Sequence, residues 1–126
     1  MQSIHLKEIN DKLLAYSLRI DAPKDLLPLI NESNDSAYPF IEVDSFGTMF
    51  FVIRERGEEI ERRITTKLED LLYWIFSGIT FTMACKYELE NRIDEQDARI
   101  LIFRKQTELL NAINGEWASS EKWFSL

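Results

Sequence analysis

The stretch PFIEVDSFGTMFFVIRERGEEIERRIT, residues 39–65, decides the fold. Phe40–Asp44 alternates apolar and polar side chains, and Ser45-Phe46-Gly47 supplies a turn. Thr48–Arg54 then carries the apolar run Met49-Phe50-Phe51-Val52-Ile53, which suits a central strand covered on both faces. Gly57 marks the next turn, and Glu59–Thr65 closes a three-stranded antiparallel meander. In that third strand Ile60, Arg62 and Ile64 fall on one face, opposite Glu61 and Arg63, because side chains alternate with period two. The two isoleucines mark the expected core face, which turns Arg62 inward. An inward guanidinium needs carboxylate partners, since an unpaired buried charge is costly. Glu88 and Asp97 are the candidates.

Helices are expected on both sides of this meander. Thr66 and Glu69 have the spacing of a capping box. A long helix follows over about 67–92, with Gly78 as a point of disturbance. Asp94 is placed to cap a further helix carrying Phe103, Gln106, Leu110 and Ile113 along one side, with Gly115 as its stop. Trp117 to Leu126 reads as a last short helix laying Trp117 and Trp123 on the body. Upstream, Leu6, Ile9, Leu13 and Tyr16 recur at helical spacing over about 4–18. Pro23 and Pro28 bracket a short apolar segment, Leu26-Leu27, and the polar run 31–36 reads as a loop. The expected architecture is α+β: a small three-stranded antiparallel sheet packed against a helical bundle of about four helices.

The chain of 126 residues suits one domain spanning 1–126. At this length folding buries roughly two-thirds of the surface exposed by the unfolded chain, without help from disulfides or metals. Cys85 is the single cysteine and His5 the single histidine, so no disulfide, CxxC pair or Cys/His zinc site can form within the chain. Neither metal nor cofactor is expected. There are 15 Lys+Arg against 22 Asp+Glu, a net charge of -7, and the basic residues form no stripe. Nucleic-acid binding therefore lacks its main driving force. The imbalance instead favours solubility and encounter with a basic partner. The start of the chain carries charges where a signal peptide needs an apolar core, and the uncharged stretch 71–85 falls short of the roughly 18 residues of a membrane span. A cytoplasmic protein without membrane contact is the expectation.

No phosphate-cradling loop, GxSxG elbow or metal-ligand grouping is present. The acids around Glu88, Glu90, Asp94, Glu95 and Asp97 read as a solvated helix corner, with Glu88 and Arg92 in the favourable i, i+4 order. Arg62, Glu88, Arg92, Asp97 and Arg99 are expected to form a structural ion-pair network. Tyr73 and Trp74 lie in the all-apolar run 71–76, which favours core burial but also suits interface anchors. No catalytic residue is assigned, and a binding protein is favoured. A small carboxylate-dependent hydrolase and a non-enzymatic adaptor or homodimer are the alternatives.

One family shares much of this order of residues. Glu55-Arg56-Gly57, Glu59, Arg62, Thr65-Thr66 and Leu71-Leu72-Tyr73-Trp74 are followed by Tyr87-Glu88-Leu89, Arg92, Asp97-Ala98-Arg99, Phe103 and Trp117. In that combination the chain resembles immunity protein 63, a family of antitoxins encoded beside bacterial polymorphic toxins. The resemblance covers about residues 36–118. Where the family tends to carry a second basic residue after Asp-x-Arg, this chain has Ile100. The resemblance implies a protein without chemistry of its own that binds and neutralises the C-terminal domain of a cognate toxin. The residues expected to meet that toxin are Glu55, Arg56, Glu58, Tyr73, Trp74, Glu90 and Glu95, with acidic groups opposing a basic toxin surface.

Overall fold

A computed structural model describes residues 2–31 and 39–120. Their order is α1 (Gln2–Ile20), a turn of 3-10 helix (Lys24–Leu26), β1 (Leu29–Ile30), β2 (Phe40–Val43), β3 (Met49–Glu55), β4 (Glu58–Thr65), α2 (Leu68–Glu90), α3 (Ala98–Ile113) and α4 (Gly115–Ser120). The fold class is α+β, as expected, but the sheet has four strands in the order β1-β2-β3-β4. Strands β2, β3 and β4 form the expected antiparallel meander, and β1 adds to β2 in parallel, making the sheet mixed. Just after Pro28, β1 is two residues long and leaves too short a pattern to read. The backbone N–H of Asn31 donates to the Ile41 carbonyl, and the Val43 N–H donates to Asn31 Oδ1 at 3.1 Å, which extends this edge. Most of the loop expected over 31–36, and Trp123 with the rest of 121–126, lie outside the described residues.

Cross-strand partners share a face, so register assigns every strand residue to a side. Ile41–Phe51–Arg63 and Val43–Met49–Thr65 face one way; Phe40–Val52–Arg62 and Glu42–Phe50–Ile64 face the other. The first set packs on the helices, because Ile41, Val43, Met49 and Phe51 join Ile9, Leu13, Leu72, Phe76 and Leu110 in one core. β3 is buried on both sides at Phe51 and Val52, as its continuous apolar run predicts.

The side assigned to Arg62 from sequence is reversed. Ile60 and Ile64 are 58% and 59% exposed, so their face of β4 is the solvent face. Arg62 lies there over the Phe50 ring and pairs with Glu59 at 2.8 Å and Glu42 at 3.1 Å. The face toward the helices carries Glu61 and Arg63, which pair with each other, and Arg63 lies over Trp74. Charges are tolerated on that face because β4 is the sheet edge, where side chains can reach past the core to water. A bulge opposite Ile53/Arg54 makes Ile60 the extra residue of β4. At the β3–β4 tip, Arg56 and Gly57 both have positive φ, at 55° and 80°, as a two-residue type I′ hairpin turn demands.

Local chemistry sets the helix ends. α1 closes in a Schellman arrangement: Asp21 has φ 54° and the Ala22 N–H reaches back to the Ser17 carbonyl at 2.9 Å. At the start of α2 the expected Thr66–Glu69 box does not form: the N-cap is Lys67, with no side-chain cap hydrogen bond. Thr65 accepts from the Lys67 N–H at 3.0 Å and donates to Asp70 at 3.2 Å, while Glu69 accepts from the Tyr16 hydroxyl. α2 runs unbroken through Gly78, where an added Cβ meets nothing within 4 Å. The cap of α3 is Asp97, not Asp94, its carboxylate accepting from the Arg99 N–H at 3.0 Å. Asn114 ends α3, so Gly115 begins α4 rather than stopping the preceding helix, and Asn114 Oδ1 accepts from the Glu116 N–H.

α4 returns Trp117 into the core against Tyr16, Tyr73 and Phe76, with ring centroids 5.6, 5.6 and 6.4 Å away. Truncation there opens a cavity among three aromatic neighbours. Trp117→Ala is expected to lower unfolding free energy by about 3–5 kcal/mol in urea denaturation. Gly78→Ala, which fills open space on a continuous helix, is expected to raise it by about 0.5–1 kcal/mol.

Candidate binding groove

An open groove of about 540 Å³ lies between the β3–β4 edge and α2. Phe51 and Ile53 supply the sheet wall, with Glu61 and Arg63 of β4 along it. Trp74, Ser77, Gly78 and Phe81 supply the α2 wall, and Gln106 of α3 also lines it. These side chains meet because successive turns of α2 present residues 74, 77/78 and 81 on one face. The absence of a side chain at Gly78 leaves that face open. A second groove of about 320 Å³ shares Phe51, Ile53 and Gly78 and runs towards Leu26, Pro28 and Pro39.

The groove is aromatic with a polar base. Phe51 and Trp74 meet edge to face at 6.4 Å, and Phe81 is 47% exposed. Gln106 is only 3% exposed. Its Nε2 donates to the Ser77 carbonyl at 3.0 Å and to Thr80 Oγ1 at 3.2 Å. Thr80 in turn donates to the Phe76 carbonyl at 2.6 Å. These bonds fix the Gln106 amide, since the reversed orientation sets two oxygens against each other. Gln106 Oε1 and Ser77 Oγ are then buried with no hydrogen-bond partner among the described residues. Such atoms are few in folded proteins and call for an explanation.

The residues singled out from sequence do not gather into one patch. Trp74 is in the groove. Tyr73, the next residue on α2, faces elsewhere, packing on Trp117 and lining a hollow with Glu69, Asp70 and Glu116. Glu55, Arg56 and Glu58 are exposed at the β3–β4 tip. Glu90 and Glu95 are exposed around the end of α2. The expected ion-pair network resolves into separate local groups. Glu88 pairs with Arg92 at 2.9 Å, Asp97 with Arg99 at 2.8 Å, and Arg62 with Glu59 and Glu42. No ion pair among the described residues joins Arg62 to Glu88 or Asp97. Sequence reading missed the roles of Ser77, Phe81 and Gln106. The available signal was Gln106 at a core position of α3, beside a glycine-bearing apolar face on α2.

Electrostatics around the α2–α3 corner are local. The Arg92 guanidinium holds the Glu88 carboxyl below its ordinary pKa. Hydrogen bonds from the Arg99 side chain and backbone hold Asp97 lower still, at about 2. Burial, then the neighbouring Glu88 charge, pushes the Cys85 thiol up, the opposite of what an activated nucleophile requires. No group of three or more His, Cys, Asp or Glu side chains able to hold a metal occurs among the described residues. No described helix is long and apolar enough to cross a membrane.

Residues 44–123 match the model of the family described as Immunity protein 63. The chain belongs to this family. The match takes in β3, β4, α2, α3 and α4, and with them every residue lining the larger groove and the Tyr73, Phe76 and Trp117 rings, though not Tyr16. It leaves out α1, β1 and β2. No curated protein and no solved structure matches the chain.

Two substitutions test the local electrostatics. A depressed carboxyl stabilises the fold above its unfolded pKa, and that contribution is lost as pH falls through the folded value. Asp97→Ala should therefore lower the melting temperature at pH 7, and its gap from the parent should close between about pH 4 and pH 2. Arg62→Ala, which removes only partly exposed ion pairs and a ring contact, is expected to cost under about 1 kcal/mol.

Proposed function

We propose that this protein binds and neutralises the C-terminal domain of a cognate bacterial toxin by direct contact, with no catalysis of its own. Membership of the immunity protein family carries this reading. The groove supports it: a concave aromatic surface rimmed by the Glu61–Arg63 pair has the make-up of an interface core, where a few desolvated anchors supply most of the affinity. Trp74 is the anchor in this reading, and Glu55, Arg56 and Glu58 extend the contact from the hairpin tip. Tyr73, on another side of α2, adds a separate contact through the acidic hollow beside it. Glu90 and Glu95, with the net charge of -7, draw in a basic toxin surface over distance. The protein works in the cytoplasm as one domain, without cofactor, nucleic acid or membrane.

Co-expression with the toxin domain encoded beside it should restore growth, and the two proteins should co-purify as a stable complex. Rescue without a complex, from a folded immunity protein, contradicts direct neutralisation. The charge contribution is separable. The double change Glu90→Lys and Glu95→Lys should slow association several-fold at low salt and flatten its salt dependence, leaving dissociation nearly unchanged. An association rate equal to the parent's across salt concentrations removes the steering role.

A further inference from the structure

The two edges of the sheet are unlike. β1, at one edge, is two residues long, whereas β4, at the other, runs for eight residues without proline. No described strand pairs with the outer side of β4, which leaves a row of backbone N–H and C=O groups open. An edge guarded against its own copies is short, or carries proline or charges that repel a second strand. β4 instead carries both signs of charge, in the order Glu61-Arg62-Arg63. It also presents two large apolar side chains, Ile60 and Ile64, each more than half exposed.

These residues are disposed symmetrically about Arg62. Consider a second copy laid antiparallel along β4, related by a two-fold axis normal to the sheet at Arg62. Residues equally spaced from the axis then stand opposite each other on the same face. On the face toward the helices Glu61 meets the partner's Arg63, and Arg63 meets the partner's Glu61. On the solvent face Ile60 meets the partner's Ile64, and Ile64 meets the partner's Ile60. The bulge at Ile60 bounds this pairing on the hairpin side. Arg62 alone meets its own kind, and its guanidinium is drawn back from the edge, over the Phe50 ring of β3 and onto Glu42 of β2. An axis through Glu61 or Arg63 opposes that charge to itself and sets Arg62 against an isoleucine. Of the three registers, the one at Arg62 satisfies both the charges and the apolar side chains.

We infer that this chain forms a two-fold dimer through the β4 edge, which joins two four-stranded sheets into one continuous sheet. The occupant is a second copy because the complementarity lies within a single strand. This inference concerns the chain alone and does not rest on the neutralisation reading above.

Sedimentation of the full chain, without toxin, tests it. The parent should approach twice the 14.9 kDa mass of one chain as concentration rises. Glu61→Arg and Arg63→Glu each oppose like charges at two symmetric positions, and each should weaken the dimer about tenfold or more. The double change Glu61→Arg with Arg63→Glu recreates the pairs in reversed order and should return dimerisation to within about threefold of the parent. Both side chains are partly exposed, so the variants should keep the parent's circular dichroism spectrum. Ile64→Lys, a change at an exposed residue of the solvent face, supplies the same test should a charge reversal fail to fold, and should also weaken the dimer.

A parent that stays monomeric at every concentration up to about 1 mM overturns the inference and leaves the edge to a strand of another protein. A dimer indifferent to the reversals and to Ile64→Lys forms through another surface, which overturns it equally. Weakening by the single reversals with no recovery in the double change removes the register at Arg62, and the inference with it.

Discussion

The packing of Trp117 among Tyr16, Tyr73 and Phe76 is the contact on which the helical layer depends. It joins α4 to α1 and to the N-terminal half of α2, and the Tyr16 hydroxyl extends the contact by donating to Glu69. Arg19 makes a second tie: its guanidinium lies over the Tyr16 ring and donates to the Ile113 carbonyl at the end of α3, 2.7 Å away. An α1 cation thus satisfies a terminal carbonyl of α3, where the helix dipole is negative. With α1, α3 and α4 fixed at one end of α2, its opposite side is held against β3, and the groove walls follow from that placement.

The groove arises where two economical choices meet. β4 is an edge strand, and its inward face carries Glu61 and Arg63 rather than the isoleucines. α2 carries Gly78 where a larger residue could have reached across to the sheet. The core consequently stops short of the sheet edge, leaving Trp74 and Phe81 as a partly open aromatic wall. Leaving such a surface open lowers stability relative to a filled core, and Gly78 lowers it further within a helix. An open aromatic surface kept at that cost is consistent with the proposal that this chain receives another protein.

Much of the architecture was legible in the sequence, and the errors share a cause. The β2–β3–β4 meander, α2 and α3 follow from strand alternation, the Gly57 turn and long apolar periodicity, all local signals. The side of β4 facing the core was misread because Ile60 and Ile64 are more apolar than Glu61 and Arg63. The choice of face is made by the helices, and a guanidinium spread over Trp74 is as acceptable there as an aliphatic side chain. Helix caps were misplaced: Thr65 rather than Thr66 bonds the chain entering α2, without capping the helix, and Asp97 takes the role given to Asp94. Adjacent hydroxyls and neighbouring acids offer equivalent local chemistry, so tertiary packing selects among them. The groove was not legible, because Phe51, Ser77 and Gln106 are distant in sequence and only the packed helices bring them together.

Hydrogen exchange of the chain, alone and saturated with its toxin domain, tests the central claim that neutralisation proceeds through the face between the sheet edge and α2. The account predicts slowed exchange in segments 51–63 and 74–81 on complex formation, with the exposed side of α1 around Leu14 and Leu18 unchanged. Protection confined to α1 or to the 88–97 corner, with the groove segments exchanging as in the free chain, contradicts it.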